Sequence, residues 1–497
     1  MLCWRRNKSG RLLCRTEVDS NAIPATALFS CKTNVMMTES DVVKARKRLS
    51  SDKGLTMSRT IAVVGSGPGG MYAVQGLLDK TPNCRVDVIE RLPSPFGLIR
   101  GGVAPDHQKT KRVSKAYERT LSDERVRYLG NVEVGRDISV PDLLGMYDAV
   151  VLAYGAPHDN RLGVSGEDLP NVYGSNAFVG WYNGHPDFKD LAPDLEIDSA
   201  VIIGVGNVAL DVARVLVKTK KEMSVTDLVP YAASATEASQ VKDVYILGRR
   251  GPVEAAFTNV ELREMGELEN ADPVIDPDHL PVNIVADYMS DRDLRLREKN
   301  VETMRSFLDM SHTEKDKRVH FGFFLSPVEI LGKNRVEGVR CERTTVDANG
   351  KVKGTGEMVD IPAQLVVTCI GSRAFPIDNL PFNDDWGTIE NEDGKVSERL
   401  YAVGWLKRGA SGTIGTNKND SLEVVDKLIA ELDGAERDGC SAIDKHLSDR
   451  SVRVVTFEEW QIIDRLEIEA APEGAPRQKF ITPEEMISAL EASQANS

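Results

Sequence analysis

The sequence predicts an α/β fold with two parallel-stranded units, and three observations support this prediction. Residues 61–70 (IAVVGSGPGG) run from an apolar stretch into a glycine-rich turn, which a helix-forming segment follows. A second segment of the same kind, AVIIGVGNVALDVA, covers residues 200–213. The chain has 497 residues, which is too long for one compact core and indicates two or three domains.

The first glycine turn has the spacing of a dinucleotide-binding motif. Gly65 permits a tight turn, Gly67 lets a diphosphate approach the backbone, and Gly70 lets the helix pack closely on the strand. The next apolar run, residues 86–89, ends in Glu90, where an acid would bind a ribose hydroxyl. Strand, glycines and acid together predict a nucleotide site and not an ordinary strand–helix–strand unit.

The second glycine turn predicts a second dinucleotide. Residues 204–209 fit G-x-G-x-x-A, and the next apolar run, residues 244–247, leads to Arg249 and Arg250 instead of an acid. An acid would accept the 2′-hydroxyl of NAD, whereas two guanidiniums suit a 2′-phosphate. The second site is therefore predicted to take NADP(H).

Two loops add to this pattern. Residues 91–107 are rich in glycine and proline but too apolar for a linker, so they could wall a flat ring system. Residues 406–417 form a second glycine-rich loop after a predicted strand at 400–405, and a helix is predicted from about Asn419. Residues 253–320 are predicted to be mostly helical. Further strands are predicted at 127–134, 149–155, 321–330, 335–345 and 365–370.

Composition excludes several classes of protein. The net charge of −14 argues against broad nucleic-acid binding, which needs a basic face. No apolar run reaches about 18 residues, so no transmembrane segment is predicted. The seven cysteines contain no C-x-x-C pair. This argues against a redox-active dithiol and against the cysteine spacing of zinc or iron–sulfur sites. No metal site is therefore predicted.

The first 57 residues differ from the rest in charge. They contain 11 Lys or Arg and 5 Asp or Glu, with no acid before Glu17. A basic, acid-poor start predicts an organelle transit peptide, most simply one for the mitochondrial matrix. The alternative is a disordered tail or an over-extended gene model in which Met57 is the true start.

Five motifs, in this order, resemble those of the adrenodoxin reductase family, the NADPH-dependent ferredoxin reductases of mitochondria and their bacterial relatives. They are GSGPGG, PFGLIRGGVAPDH, GNVALDVAR, GRRGPVEAAFT with ELREM, and GWLKRGASGTIGTN. The resemblance runs from about residue 59 to the C-terminus. It implies two Rossmann-like dinucleotide-binding domains, with an NADP domain, residues 158–368, inserted into a discontinuous FAD domain, residues 58–157 and 369–497. Gly69 departs from the family, which often has alanine there.

The resemblance also implies which residues contact the cofactors. For FAD they are Gly65, Gly67, Gly69, Gly70, Glu90, Leu98, Val134, Trp405, Gly412, Thr413 and Ile414. For NADP they are Val205, Gly206, Asn207, Val208, Arg249, Arg250, Glu261 and Gly412. An NADP site facing an FAD site predicts hydride transfer to FAD followed by single-electron steps.

Two polar residues look like the pair that the family keeps near its flavin. His107 and Asp211 are therefore candidate catalytic residues that could assist proton movement or anchor the substrate. The alternative is a structural histidine with satisfied hydrogen bonds and an aspartate inside a helix.

The expected electron acceptor is a small [2Fe–2S] ferredoxin, which is typically acidic and needs a basic docking surface. Basic residues in corresponding regions of the family imply Arg263, Arg292, Arg295, Arg297 and Lys299 as partner-binding residues. The basic cluster at residues 109–119 could extend this surface or form an ordinary solvated face. Peripheral association with the inner membrane is a further expectation.

Two other functions remain open at this point. The small subunit of glutamate synthase and its relatives carry FAD and NADPH sites, but they use cysteine-ligated clusters that this chain lacks. A non-enzymatic flavin redox-sensing module would bind nucleotides without turnover, and the Arg249–Arg250 pair argues against it. A flavin monooxygenase is less favoured because no substrate pocket can be identified from the sequence.

Overall fold

The computed structural model describes residues 59–284, 286, 288–310, 315–432 and 437–495. It also describes an antiparallel strand pair near the start of the chain, β1 (Cys3–Arg6) and β2 (Leu12–Arg15). Apart from that pair, the predicted leader, residues 1–57, lies outside the described residues. The elements below belong to the unit Met57–Ser497.

The first large sheet has six strands drawn from the two ends of this unit. In spatial order they are β20 (Lys395–Ser397), β21 (Leu400–Ala402), β6 (Ala149–Leu152), β3 (Arg59–Val64), β4 (Cys84–Glu90) and β5 (Val126–Gly130). Only the pairing of β20 with β21 is antiparallel among these strands. The carboxyl ends of the five parallel strands therefore lie along one edge.

The second large sheet has six parallel strands, all from the middle of the chain. In spatial order they are β11 (Ala271–Ile275), β12 (Lys317–Phe323), β10 (Asp243–Gly248), β9 (Ser199–Ile203), β16 (Leu365–Thr368) and β8 (Val172–Gly174). This sheet lies in the chain between β6 and β20. The predicted α/β fold with one unit inserted into the other is confirmed.

Smaller sheets complete the strand pairing. A three-stranded antiparallel sheet is formed by β13 (Leu325–Leu331), β14 (Gly338–Val346) and β15 (Val352–Pro362). Two antiparallel pairs are β7 (His158–Asp159) with β17 (Ser372–Arg373), and β18 (Phe382–Asn383) with β19 (Thr388–Ile389). Strand β7 lies where the chain leaves the first large sheet, and β17 lies where the chain returns to it.

Helices cover both large sheets. In the first half of the unit they are α1 (Pro68–Lys80), α2 (Leu98–Gly101), α3 (Gln108–Lys111), α4 (Ser114–Leu121), α5 (Val140–Met146), α6 (Ser175–Asn183), α7 (Asn207–Val217), α8 (Lys220–Met223) and α9 (Pro230–Glu237). They continue with α10 (Asn259–Glu264), α11 (Asp291–Leu308), α12 (Trp405–Arg408), α13 (Thr416–Glu431), α14 (Gly439–Asp449), α15 (Phe457–Glu469) and α16 (Pro483–Ala495). Within the described ranges, no helix is both long enough and apolar enough to cross a membrane.

Alternate residues of β3 enter two different cores. Ile61 and Val63 belong to one apolar cluster, and Ala62 and Val64 belong to another on the opposite face of the sheet. A parallel strand that is covered on both faces has no solvent side, which explains its continuous apolar sequence.

Two parts of the strand pattern differ from the prediction. Residues 321–330 form two strands in different sheets, because the backbone turns at Phe324, which has a φ of +59°. Strand β11 was missed because it contains Asp272 and Pro273. It pairs only with β12, and such an edge position tolerates a proline.

The second glycine-rich loop also begins and ends differently from the prediction. Strand β21 stops at Ala402, and Trp405 opens the short helix α12 instead of ending the strand. Helix α13 begins at Thr416, three residues before the predicted start.

Candidate functional site

The first glycine turn joins β3 to α1 and forms an open cradle. A Cβ on Gly65 would lie 2.5 Å from the carbonyl oxygen of Ala153, and one on Gly70 would collide with the carbonyl oxygen of Gly65. A Cβ on Gly67, by contrast, would meet no atom within 4 Å. Gly65 and Gly70 therefore close the turn, and Gly67 leaves space above the N-terminus of α1, where the first N–H groups of a helix attract an anion.

Glu90 lies at the end of β4, beside this turn. Its Oε2 accepts hydrogen bonds from the backbone nitrogen of Ser66 at 3.0 Å and from Ser66 Oγ at 2.6 Å. Its Oε1 accepts one from the backbone nitrogen of Leu92 at 3.3 Å. The carboxylate is fixed next to the cradle, and its oxygens have further lone pairs for a ribose hydroxyl.

The apolar loop at residues 91–107 folds onto the same turn. The backbone nitrogen of Phe96 donates to Ser66 Oγ at 3.1 Å, and a Cβ on Gly97 would lie 3.1 Å from Gly67 Cα. Leu98, at the start of α2, is 40 % exposed although it is apolar. Val134 is half-buried just beyond β5. The loop thus presents an apolar side chain beside the open cradle.

The second glycine-rich loop meets the first. A Cβ on Gly69 would lie 3.5 Å from Gly404 Cα, and Ser421 Oγ of α13 donates to the carbonyl oxygen of Gly69 at 2.9 Å. Trp405 Nε1 donates to the carbonyl oxygen of Ser411 at 3.1 Å, which bends the loop back on α12. Two motifs more than 300 residues apart in the sequence therefore line one place.

Within this loop the three predicted residues differ in exposure. Gly412 has a φ of +80°, and it is exposed together with Thr413. The backbone nitrogen of Thr413 donates to Thr416 Oγ1 at 3.1 Å. Ile414 packs against the core next to α1. The loop is anchored through Ile414 and presents backbone at Gly412, as a loop over a flat ring requires.

The second glycine turn repeats this geometry between β9 and α7. Gly204 has a φ of +132°, and a Cβ there would collide with the carbonyl oxygen of Cys369. A Cβ on Gly206 would meet nothing within 4 Å. Ala209 is fully buried at the position of the third glycine. This turn is a second cradle at a helix N-terminus.

Arg249 and Arg250 follow β10, next to this second cradle. Both side chains are exposed, and neither has a carboxylate within ion-pair distance among the residues described. Their backbone is held in place, because Thr344 Oγ1 donates to the carbonyl oxygen of Arg249 at 2.8 Å and Phe324 N donates to that of Arg250 at 3.1 Å. A fixed turn with two unpaired guanidiniums suits a phosphate group.

The predicted contacts Val205, Asn207 and Val208 belong to the second cradle itself. The backbone nitrogen of Ala256 donates to the carbonyl oxygen of Val205 at 2.7 Å, and that of Thr258 donates to Asn207 Oδ1 at 2.7 Å. Val208 is 44 % exposed on the first turn of α7. The segment after the arginine pair therefore returns to the cradle and ties it down.

His107 and Asp211 meet in a charged cluster, and Glu261 lies in the same place. His107 Nδ1 lies 3.7 Å from Asp211 Oδ1, and His107 Nε2 lies 3.2 Å from Glu261 Oε2 and 2.9 Å from Glu264 Oε2. The cluster connects the loop before α3 with α7 and α10. Glu261 thus faces His107 here, whereas the sequence assigned it only to NADP contact.

Arg214 lies at the centre of this cluster and was not predicted. Its side chain has no exposed surface, and it pairs with Asp106 at 3.0 Å and with Asp211 at 2.7 Å. Its NH2 lies 2.6 Å from His107 Nε2. The sequence offered one indication of this role. Arg214 follows Asp211 by three positions in an apolar helix, and this spacing indicates a buried ion pair.

These charges shift the pKa values within the cluster. Burial and the charge of Arg214 lower the pKa of His107, but its hydrogen bond to Glu264 and the charges of Asp211 and Asp106 outweigh them and raise that pKa above 6.5 overall. Burial raises the pKa of Asp211 and of Glu261. Arg214 and Lys218 outweigh burial at Asp106 and hold its pKa far below the ordinary value. The cluster therefore favours a protonated His107.

The same residues include donor sets with the spacing of a metal site. Asp106, His107 and Glu264 have ligand atoms within 4.8 Å of one another, as do His107, Asp211 and Glu261. The guanidinium of Arg214 contacts members of both sets. The positive charge that balances these carboxylates is therefore supplied by the protein.

The predicted partner-binding residues do not all lie on one surface. Arg292, Arg295 and Lys299 are exposed on α11 at spacings of three and four residues, so they share one face. Arg263 is exposed at the end of α10. Arg297 is half-buried, and its guanidinium donates to the carbonyl oxygen of Ala255. Four of the five residues are accessible, and Arg297 points to the other side of the helix.

The basic cluster at residues 109–119 is only partly a surface. Lys111 Nζ lies 2.6 Å and 2.7 Å from the two carboxylate oxygens of the buried Asp227, and Lys479 Nζ lies 3.1 Å from the same carboxylate. Lys109, Lys115 and Arg119 are exposed. Lys111 is therefore a structural residue, while its neighbours remain accessible.

Comparisons with known proteins agree with this geometry. The family model described as pyridine nucleotide-disulphide oxidoreductase matches residues 59–245. The chain is 42 % identical over 452 residues to NADPH-ferredoxin reductase FprA of Mycobacterium tuberculosis, covering 86 % of this chain and 98 % of that protein. It is 41 % identical to the mitochondrial NADPH:adrenodoxin oxidoreductase of Homo sapiens, covering 86 % and 91 %, respectively.

A solved structure gives the same result in three dimensions. The structure of Mycobacterium tuberculosis FprA in complex with NADPH matches with a TM-score of 0.82 and 40 % identity, covering 87 % of this chain and 99 % of that one. Identity of this level over nearly the whole of each relative is sufficient to assign a family. The chain belongs to the family of NADPH-dependent adrenodoxin and ferredoxin reductases.

Proposed function

We propose that this chain is an FAD-dependent reductase that passes electrons from NADPH to a ferredoxin. The observation that carries the proposal is the pair of open cradles, at Gly67 and Gly206, in a member of this family. Each cradle lies at a helix N-terminus, where a dinucleotide diphosphate would be bound. A protein with one dinucleotide would need only one of them.

The first cradle would hold FAD. The space above Gly67 would admit the diphosphate, Glu90 would bind a ribose hydroxyl, and the apolar loop with Leu98 and the exposed backbone at Gly412 would lie against the flavin ring. Gly69, Val134, Trp405 and Ile414 would complete the wall of the FAD site. These residues fit the group because the turn has room at Gly67 and none at Gly65 or Gly70.

The second cradle would hold NADPH, with its 2′-phosphate on the arginine pair. Arg249 and Arg250 are exposed on a turn whose backbone is fixed. Val205, Gly206, Asn207 and Val208 would lie along the diphosphate. Two guanidiniums in place of an acid favour NADPH over NADH.

FAD held at the Gly67 cradle would supply the redox chemistry that links a two-electron donor, NADPH, to a one-electron acceptor. The role of the chain is to align the two cofactors and to exclude water between them. His107 would hold a proton at the end of the apolar loop, residues 91–107, because the carboxylates of Glu264 and Asp211 stabilise its charged form. Asp211 would act by orienting His107.

The electron acceptor would be an acidic [2Fe–2S] ferredoxin that docks on α10 and α11. Arg292, Arg295 and Lys299 share one exposed face of α11, and Arg263 is exposed at the end of α10, so these four cations would form the docking site. Complementary charge increases the rate of encounter and orients the partner. Arg297 is left out of this surface because it bonds to Ala255.

We also infer the domain limits and the location. Residues 58–157 and 369–497 would form the FAD domain, and residues 158–368 the NADP domain. The basic, acid-poor start supports a mitochondrial matrix protein whose leader is removed, and peripheral contact with the inner membrane would follow from its partners. Sequencing the N-terminus of the protein from isolated mitochondria would test this location.

The experiment that tests the proposed cofactor choice replaces the arginine pair. In Arg249→Ala and Arg250→Ala, KM for NADPH should rise by roughly tenfold to a hundredfold, because each variant loses charge-assisted hydrogen bonds to a phosphate. KM for NADH should stay within about twofold. Arg318→Ala is a matched control, since Arg318 is exposed near the other end of the same sheet. An equal rise for both nucleotides would contradict the assignment.

A further inference from the structure

Tyr288 lies beside the turn that carries the arginine pair. Its hydroxyl donates to Glu254 Oε1, and the backbone nitrogen of Gly251 donates to Glu254 Oε2 at 2.9 Å. Each oxygen of the Glu254 carboxylate is thus engaged by a neutral donor. Because Gly251 directly follows Arg250, this contact places the Glu254 carboxylate in the turn that carries the arginine pair.

The ring of Tyr288 is held from its other side by the hairpin turn between β14 and β15. A Cβ on Gly350 would lie 2.7 Å from that ring, and Gly350 has a φ of +74°, which favours glycine. Burial and the hydrogen bond to Glu254 raise the pKa of Tyr288 to about 12. The hydroxyl therefore stays protonated and donates at physiological pH.

Glu254 is the nearest acid in the sequence to the arginine pair. It follows Arg250 by four residues, in the same turn. A carboxylate released in this place would pair with a guanidinium and compete with a phosphate for it. Among the described residues, neither arginine has an ion-pair partner, so the carboxylate is held away from both.

We propose that Tyr288 is a positioning residue for cofactor selectivity, which holds the Glu254 carboxylate away from Arg249 and Arg250 and so keeps both available for a 2′-phosphate. The inference rests on the proposed function, because it requires the arginine pair to bind NADPH. Tyr288 itself need not touch the cofactor. Its effect on binding depends on the charge of Glu254.

A double-mutant cycle tests this dependence. The dissociation constants of 2′,5′-ADP and 5′-AMP are measured by calorimetry for the wild type, Tyr288→Phe, Glu254→Gln and the double variant, all loaded with FAD. Tyr288→Phe keeps the ring but removes one of the two hydrogen bonds that hold the carboxylate, so it should weaken 2′,5′-ADP binding about threefold to fivefold and leave 5′-AMP unchanged. Glu254→Gln should not weaken binding, and in its background Tyr288→Phe should have no effect.

Tyr245→Phe is the matched control, because it removes a tyrosine hydroxyl from β10, where the Tyr245 ring stacks on His320. It should leave both dissociation constants unchanged. If the wild type binds 2′,5′-ADP no better than 5′-AMP, the proposed NADPH site is wrong. If the wild type prefers 2′,5′-ADP but Tyr288→Phe binds it equally well, or the double variant stays as weak as Tyr288→Phe, the role of Tyr288 is overturned.

Discussion

At the scale of single residues, the two glycines of the first cradle differ in what a methyl group would touch. Gly67→Ala adds a methyl to open space, whereas Gly70→Ala adds one against the carbonyl oxygen of Gly65. We therefore expect Gly67→Ala to fold with the stability of the apoprotein nearly unchanged but to bind little FAD. Gly70→Ala should lose about 1–3 kcal/mol of unfolding free energy, because the turn is overpacked.

Urea unfolding of the apoproteins and the absorbance ratio of bound flavin to protein measure these two effects separately. Gly145→Ala serves as a control, since a Cβ there also meets nothing within 4 Å but lies away from the cradle. Full FAD content in Gly67→Ala would contradict the assignment of the space above Gly67.

The pKa of His107 gives a second prediction at this scale. Because it is raised above 6.5 in the folded protein, the stabilisation from protonated His107 is complete below its unfolded pKa and is lost as the pH rises through the folded value. Glu264→Gln removes the hydrogen-bonded carboxylate and should lower that pKa. NMR titration of the ring protons measures it, with Glu267→Gln as an exposed control on the same segment. An unchanged pKa in Glu264→Gln would contradict the cluster.

Which residues the sequence could identify depends on how local their signal is. Gly67, Gly206 and the arginine pair lie within short motifs whose spacing reflects backbone geometry, so they can be found without a structure. Asp106 and Arg214 are 108 positions apart and meet only through folding. Tyr288 and Glu254 are joined in the same way, so no spacing rule predicts them.

At the scale of elements, helix α11 has two faces with different roles. Arg292, Arg295 and Lys299 are exposed, while Arg297 and Asn300 hold the carbonyl oxygens of Ala255 and Phe257 on the other side. The sequence identified the basic residues but not the face each one occupies. The face is set by the neighbouring segment 255–258, to which the inward residues bond.

Charge reversal on the exposed face of α11 tests whether that face binds the ferredoxin. In Arg292→Glu/Arg295→Glu, KM for a [2Fe–2S] ferredoxin should rise roughly tenfold, because the docking charge is inverted. Reduction of a small dye such as ferricyanide should remain at the wild-type rate. Lys353→Glu, on the exposed strand β15, is the control. Equal loss of both activities, or an effect of the same size in the control, would contradict docking on α11.

Strand β11 and the break at Phe324 show what the apolar pattern could not predict, since the first is a missed strand and the second a missed boundary between two strands. Both depend on which sheet a segment joins, and apolar alternation along the chain does not encode that choice. The core strands β3 and β9 were predicted, because burial on both faces leaves a continuous apolar run before a glycine turn.

At the scale of the whole molecule, a buried ionic cluster joins segments that are far apart in the chain. Asp227 accepts from Lys111, Lys479 and Gln108, and Lys479 Nζ also donates to the carbonyl oxygen of Asn183 at 3.0 Å. These contacts tie the loop around α3 and the C-terminal segment to the part of the chain that carries the second sheet. No local pattern in the sequence indicates this connection.

The cluster makes stability depend on pH in a defined direction. Burial lowers the pKa of Lys479 from 10.5 to about 7. Between pH 7 and pH 10.5 the unfolded chain therefore binds a proton at Lys479 that the folded protein does not bind. Raising the pH through this range stabilises the folded state. In Lys479→Met this contribution is absent. The unfolding free energy of the wild type, relative to the variant, should therefore rise as the pH increases above 7. Lys445→Met, an exposed control, should follow the wild type. A pH-independent difference would contradict the buried lysine.

NADPH should reduce a bound flavin, which should then reduce a ferredoxin, and stopped-flow absorbance follows both steps. The purified flavoprotein is mixed anaerobically with NADPH or NADH, and a [2Fe–2S] ferredoxin with cytochrome c is then added. Rapid flavin bleaching by NADPH, slow bleaching by NADH, and cytochrome reduction that requires ferredoxin are the predicted results. Absence of bleaching by NADPH, or cytochrome reduction that is independent of ferredoxin, would contradict the account.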